Sequence, residues 1–220
     1  MSDDRFEDLA EYFAARFPRG NLQTGWPIDS DIYVRYELGE PYANGTDERL
    51  AQVNYRATSI LEACFRPQDQ LLILIDDLQG EAEDPMFCNT TPHYIYELIG
   101  GSVLSRAAER MVGRLDTDLT KWAPEYSFRQ LLIPACLEEI PYKQILGGIA
   151  NYEQGREPKI GQQVWFISTE RDIAYFMYDD RGCIVFSDST GKIRHLYEQF
   201  SNWLNAYYRE PMDVLFRKNG

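Results

Sequence analysis

The 220-residue sequence predicts a single α+β domain, residues 1–220: an antiparallel sheet ending in a β-meander and packed by amphipathic helices. Three observations carry this. The C-terminal third holds three apolar runs, "QVWFIS", "IAYFMY" and "CIVF", joined by the turn-forming "TERD" and "DDRG". Helical stripes, such as Leu50, Val53, Ala57, Ile60, Leu61 and Cys64, stand among these and other strand signals. At 44% hydrophobic residues, the chain has enough apolar mass for one sizeable core.

In chain order, Phe6, Leu9, Ala10, Phe13 and Phe17 mark a helix ended by Pro18 and Gly20. "DIYVRYELG" alternates, so Arg35 and Glu37 share one strand face, opposite Val34 and Tyr36. Thr46 caps the helix that carries Leu50 to Cys64, and Arg66-Pro67 closes it. "LLILI" at 71–75 reads as an interior strand that empties into an acidic loop, "DDLQGEAEDPMF". Residues 94–115 read as helical, broken or divided at Gly100-Gly101. "YSFRQLLI" at 126–133 is a further strand, and Pro141 opens a helix through "PYKQILGGIANYEQG". Finally Ile193, Leu196, Tyr197, Phe200, Trp203, Leu204 and Tyr207 predict one long amphipathic helix across the sheet, with His195 off its stripe.

Charge is the strongest functional signal. The net charge is −13, and residues 1–110 carry 20 acidic and 9 basic side chains. Such a field repels phosphate backbones and anionic lipid and steers a cationic protein, so neither nucleic acid nor membrane is an expected partner. No apolar run approaches the roughly 20 residues a membrane helix needs, and the acidic N-terminus does not resemble a secretory signal, so a cytoplasmic location is expected. Cys64, Cys88, Cys136 and Cys183 lack the short paired spacing of metal or redox motifs and read as reduced thiols.

The stretch with the most chemical character is "YDDRG". Asp179, Asp180, Arg181 and Gly182 fit a structural hairpin turn, since Asp accepts hydrogen bonds from nearby amides and Gly adopts positive φ freely. The competing reading is a metal-dependent hydrolase using Asp76, Asp77, Asp179 or Asp180, but no known ligand spacing surrounds these residues. Arg35, Glu37 and Arg56 suggest a buried ion-pair network or, alternatively, a small-ligand pocket. A Cys183–His195 pair lacks the electropositive setting that activates a thiol. The expectation is therefore a protein with no catalytic residues, no resident metal and no cofactor.

"RYELG" at 35–39, "RATSILEACF" at 56–65, "YDDRG" at 178–182 and "LYEQFSNW" at 196–203 together resemble the bacterial domain-of-unknown-function family number 3885. The resemblance implies a setting beside polymorphic toxin loci, and hence an immunity protein that binds and neutralises a cognate toxin, for instance a basic nuclease-like domain. The expected contacts are acidic: Glu37, Glu40, Asp76, Asp77, Glu81, Glu83 and Asp84.

Overall fold

The structure is a computed structural model that describes residues 4–20, 22, 28, 30–79, 93–112 and 127–218. Its elements are α1 (Asp4–Arg16), β1 (Tyr33–Glu37), α2 (Asp47–Cys64), β2 (Gln70–Gln79), α3 (Tyr94–Ile99), α4 (Gly101–Leu104), β3 (Ala108–Val112), β4 (Ser127–Cys136), α5 (Tyr142–Glu153), β5 (Gln163–Ser168), β6 (Ile173–Asp179), β7 (Gly182–Ser187), α6 (Thr190–Gln199) and α7 (Arg209–Lys218). The strands form one sheet in the order β1-β7-β6-β5-β2-β4-β3, and every described pairing is antiparallel. The α+β class and the C-terminal meander are as the sequence predicts.

Alternation along each strand divides the core in two. Val34, Ile73, Ile75, Ile133, Val164, Phe166, Tyr175 and Val185 face the layer built by α2, α5 and α6. Leu74, Leu132, Trp165, Ile167, Phe176 and Phe186 face the other way, where Phe6, Leu9 and Phe13 of α1, with Phe17, Leu22 and Ile28, cover them. Trp165 stacks on Phe176 with centroids 4.1 Å apart. α2 begins as predicted, with the Thr46 side chain accepting from Arg49 N at 3.3 Å.

Three expectations are corrected. Asp76 and Asp77 stand within β2 and not in a loop, because pairing with β4 continues to Asp76↔Gln130, Asp77↔Arg129 and beyond. The segment after Gly100 does not stay helical: Gly100 has φ 77, α4 ends at Leu104, and 108–112 pairs with β4 as an edge strand. Its alternating burial, with Ala108 inside and Glu109 tied to Arg129 at 2.8 Å, outweighs its helical propensity. The long C-terminal helix stops at Phe200, because the chain turns aside to dress the open edge of β1. Leu204 bridges Tyr36, Asn205 N donates to Arg35 O at 3.0 Å, and after two 3-10 turns α-helix resumes only at Arg209.

Asp76 shows what burial does to a carboxylate in this sheet. It is 2% exposed, accepts from Gln130 Nε2 at 2.6 Å, and its Oδ2 has no hydrogen-bond partner among the described residues. Burial pushes its pKa up to about 6, opposed by the Gln130 hydrogen bond and the nearby Arg110 charge. The folded state thus holds this proton more tightly than the unfolded chain does. The stability that follows is complete below about pH 4 and is lost as pH rises to about 6, a loss of roughly 3 kcal/mol. Asp76→Asn is expected to be more stable than wild type in urea at pH 7.5 by about 2 kcal/mol, and to flatten the stability profile between about pH 4 and 6. An unchanged profile would show that Asp76 does not hold that proton.

Candidate functional site

β6 and β7 meet in a hairpin whose two loop residues are Asp180 and Arg181, between the paired Asp179 and Gly182. Neither loop residue has positive φ, so this is not the mirror-image turn that usually matches strand twist. The twist comes instead from a bulge: Met177 pairs with Cys183 and Asp179 with Gly182, leaving Tyr178 as the extra residue. The turn reading of "DDRG" is therefore the observed geometry. Its glycine, however, is needed for a different reason than positive φ. A Cβ on Gly182 would lie 2.5 Å from Tyr36 O and overlap the Tyr178 hydroxyl.

The two aspartates do not converge. Asp179 turns back on its own loop: Oδ1 accepts from Arg181 N at 2.7 Å and Oδ2 from Arg181 Nε at 2.7 Å, with a further bond to Nη2. Asp180 reaches across to α2, where its Oδ2 meets Arg49 Nε at 2.5 Å, with side-chain exposures of only 2% and 5%. Arg49 also donates to Tyr42 O at 2.8 Å, and its guanidinium occupies the space that a Cβ on Gly39 would need. Leu38 N donates to Arg181 O at 2.9 Å and closes the assembly onto the end of β1. The hairpin thus ties α2, β1 and β7 together through one buried ion pair.

Beside it opens a cleft of about 480 Å³ lined by Arg35, Glu37, Tyr178, Arg181, Ile184 and Asn205. The bulge aims the Tyr178 hydroxyl at Arg35, which donates to it from Nε at 3.2 Å and Nη2 at 3.1 Å. The Arg35 Cζ lies 4.9 Å from the Tyr178 ring centroid and 4.4 Å from that of Tyr208. Burial lifts the Tyr178 phenol to about 12, against the pull of the Arg35 charge. Glu37 accepts from Asn205 Nδ2 at 3.1 Å, and burial with the neighbouring Glu40 charge raises its pKa. Among the described residues the predicted ion-pair network does not form, although Arg56 lies close enough to feel the Glu37 charge. Arg56 instead donates to the carbonyls of Glu37 and Glu40, both at 3.0 Å, and lies 5.5 Å over Trp203, because it approaches from α2 and meets backbone.

The acids expected to form one contact surface are dispersed. Glu37 lines the cleft and Glu40 is exposed. Asp76 faces the sheet interior, too deeply buried to touch a partner. Asp77, on the opposite face, accepts from Tyr96 Oη at 2.5 Å and Gln162 Nε2 at 3.2 Å. Glu81, Glu83 and Asp84 lie outside the described residues. Among the described residues no group of three or more His, Cys, Asp and Glu is placed to hold a metal ion. Burial lifts Cys183 to about 12 and pushes Cys64 well above the ordinary thiol range, so neither thiol is poised to ionise.

Sequence reading missed Arg49, and it missed Tyr55 in the aromatic ridge beside the cleft. Arg49 carried one usable signal: it sits four residues before Val53, on the buried stripe of α2, where a charge demands a partner. The ridge consists of Tyr55, 65% exposed, in edge contact with Trp203 at 5.7 Å, and of Tyr207, 84% exposed, against Tyr208 at 4.9 Å.

The family described as "Domain of unknown function (DUF3885)" matches residues 9–208. The chain is also similar to "Uncharacterized protein YnaE" of Bacillus subtilis (strain 168), 31% identical over 91 residues. That match covers 39% of this chain and 43% of the relative, so it spans under half of either protein. No solved structure matches the chain. Among the described residues no helix is long and apolar enough to cross a membrane.

Proposed function

The chain belongs to the DUF3885 domain-of-unknown-function family, and from that premise we propose that it is an immunity protein, which binds a cognate cationic toxin domain in the cytoplasm and neutralises it. The observation that carries the reading is the aromatic ridge. Tyr55 and Tyr207 leave large ring surface in water, with the half-buried Trp203 against Tyr55, and Tyr and Trp at such positions anchor protein interfaces. Glu48, Gln52 and Tyr55 follow one another along one face of α2, and Glu40 stands next to the ridge through the carbonyl that Arg56 and Gln52 both hold. The net charge of −13 supplies long-range attraction for a basic partner, and the rings supply the short-range hold.

Support also comes from what the hairpin carboxylates do. Each aspartate is bound by its own arginine, an arrangement suited to holding structure and ill suited to capturing a divalent ion.

The test is to sequence the genes beside this one and to co-express the protein with the toxin domain that the proposal expects there. Growth should be rescued by wild type and lost with Tyr55→Asp/Tyr207→Asp. With the single changes Tyr55→Ala and Tyr207→Ala, the complex should weaken by about 2 kcal/mol each while urea stability moves by no more than about 0.5 kcal/mol. Cells that die equally fast with and without the wild-type protein would end the proposal.

A further inference from the structure

The cleft at the edge of β1 holds two charges of opposite sign that do not neutralise each other. Arg35 and Glu37 are two residues apart on one strand face, with Cα atoms about 7 Å from each other by strand geometry. Each is drawn aside by a neutral partner: Arg35 by the Tyr178 hydroxyl and the Tyr178 and Tyr208 rings, Glu37 by the Asn205 amide. Neither has an ion-pair partner among the described residues, although both are half-buried. The third charge in the wall, Arg181, is already bound by Asp179. Ile184, 6% exposed, is the apolar residue of the lining.

We propose that this cleft binds a small zwitterion of the α-amino-acid class, with its carboxylate on Arg35, its ammonium on Glu37 and an apolar side chain against Ile184. An amino acid places its two charges on adjacent atoms of a common carbon, so one molecule bridges both side chains with charge-assisted hydrogen bonds. Arg49 and Arg56 act on Glu37 from α2 without touching its carboxylate, so a singly charged ligand satisfies one of the two side chains and leaves the other without a contacting counter-charge. The volume of about 480 Å³ falls within the range for small-molecule sites. The rings of Tyr178 and Tyr208 keep the guanidinium in place before the ligand arrives, which reduces the ordering cost of binding. This site adjoins the proposed toxin-binding ridge through Tyr208, while the exposed rings of Tyr55 and Tyr207 stand outside its lining.

The experiment is a calorimetric titration of the full chain with three probes: L-leucine, L-leucinamide, which lacks the carboxylate, and 4-methylpentanoate, which lacks the ammonium. Leucine should saturate the protein, and each truncated probe should bind roughly 10-fold more weakly or worse. Glu37→Gln should erase the preference for leucine over 4-methylpentanoate while leaving the circular dichroism unchanged. The proposal is overturned if leucine gives no saturable heat up to about 10 mM, or if either truncated probe binds as well as leucine. The wild-type arms decide the matter even if the Glu37 variant fails to fold.

Discussion

Asp180→Ala is expected to lower the stability of this protein by about 3–5 kcal/mol, a fall in Tm of roughly 6–20 °C. The magnitude follows from what is left behind. Arg49 is 4% exposed; its Nε donates to Asp180, and the Tyr42 carbonyl is held by Nη1. Removing the carboxylate strands a buried guanidinium that cannot shed its proton at any ordinary pH. Replacing both residues with apolar side chains of similar size, as in Arg49→Met/Asp180→Leu, is expected to cost less than the single change, because no uncompensated charge remains. Urea unfolding of the three variants checks the order. Were Asp180→Ala nearly neutral, the hairpin would not depend on this pair.

The second large effect comes from a single methyl group. Gly182→Ala is expected to destabilise by about 3 kcal/mol, since the added carbon meets a backbone carbonyl, Tyr36 O, that a side-chain rotation cannot clear. Its other neighbour, the Tyr178 hydroxyl, has to swing away and so releases Arg35. The variant should therefore lose stability and also leave the cleft without its fixed guanidinium. A drop in thermal stability, together with increased exchange of the Tyr178 backbone amide with solvent, is the measured signature. Stability within about 0.5 kcal/mol of wild type would mean that the sheet opens here more easily than the packing implies.

Much of this was open to reading in the residues. The meander needs only period-two apolar runs and Asp/Gly turns, and α2 announces itself by Thr46 and a stripe that runs unbroken to Cys64. Local pattern also places Arg35 and Glu37 on a common face, where the cleft now shows them. Long-range pairing is where local pattern stops being informative. Asp180 finds its arginine 131 residues away, and Asp76 is buried because β4 and β5 flank it in the sheet, opposite Gln130 and Gln163. The 108–112 segment carries helical propensity, yet a neighbouring strand edge decides its conformation. The same force breaks the C-terminal helix: the unpaired backbone of β1 at Tyr36 and Arg35 offers Leu204 and Asn205 partners that an unbroken helix would forgo. Gly182 shows a subtler gap, since its identity is legible but its reason, crowding by Tyr36 and Tyr178, is not.

The acidic hairpin is an arginine-locked joint between α2, β1 and β7. A double-mutant cycle on Arg49→Ala and Asp180→Ala, read by urea unfolding at neutral pH, tests that lock most directly. The predicted result is strong coupling: the double variant is more stable than the sum of the two single losses by about 2 kcal/mol or more. Strictly additive losses would contradict it, because they would mean that the two buried charges do not answer each other.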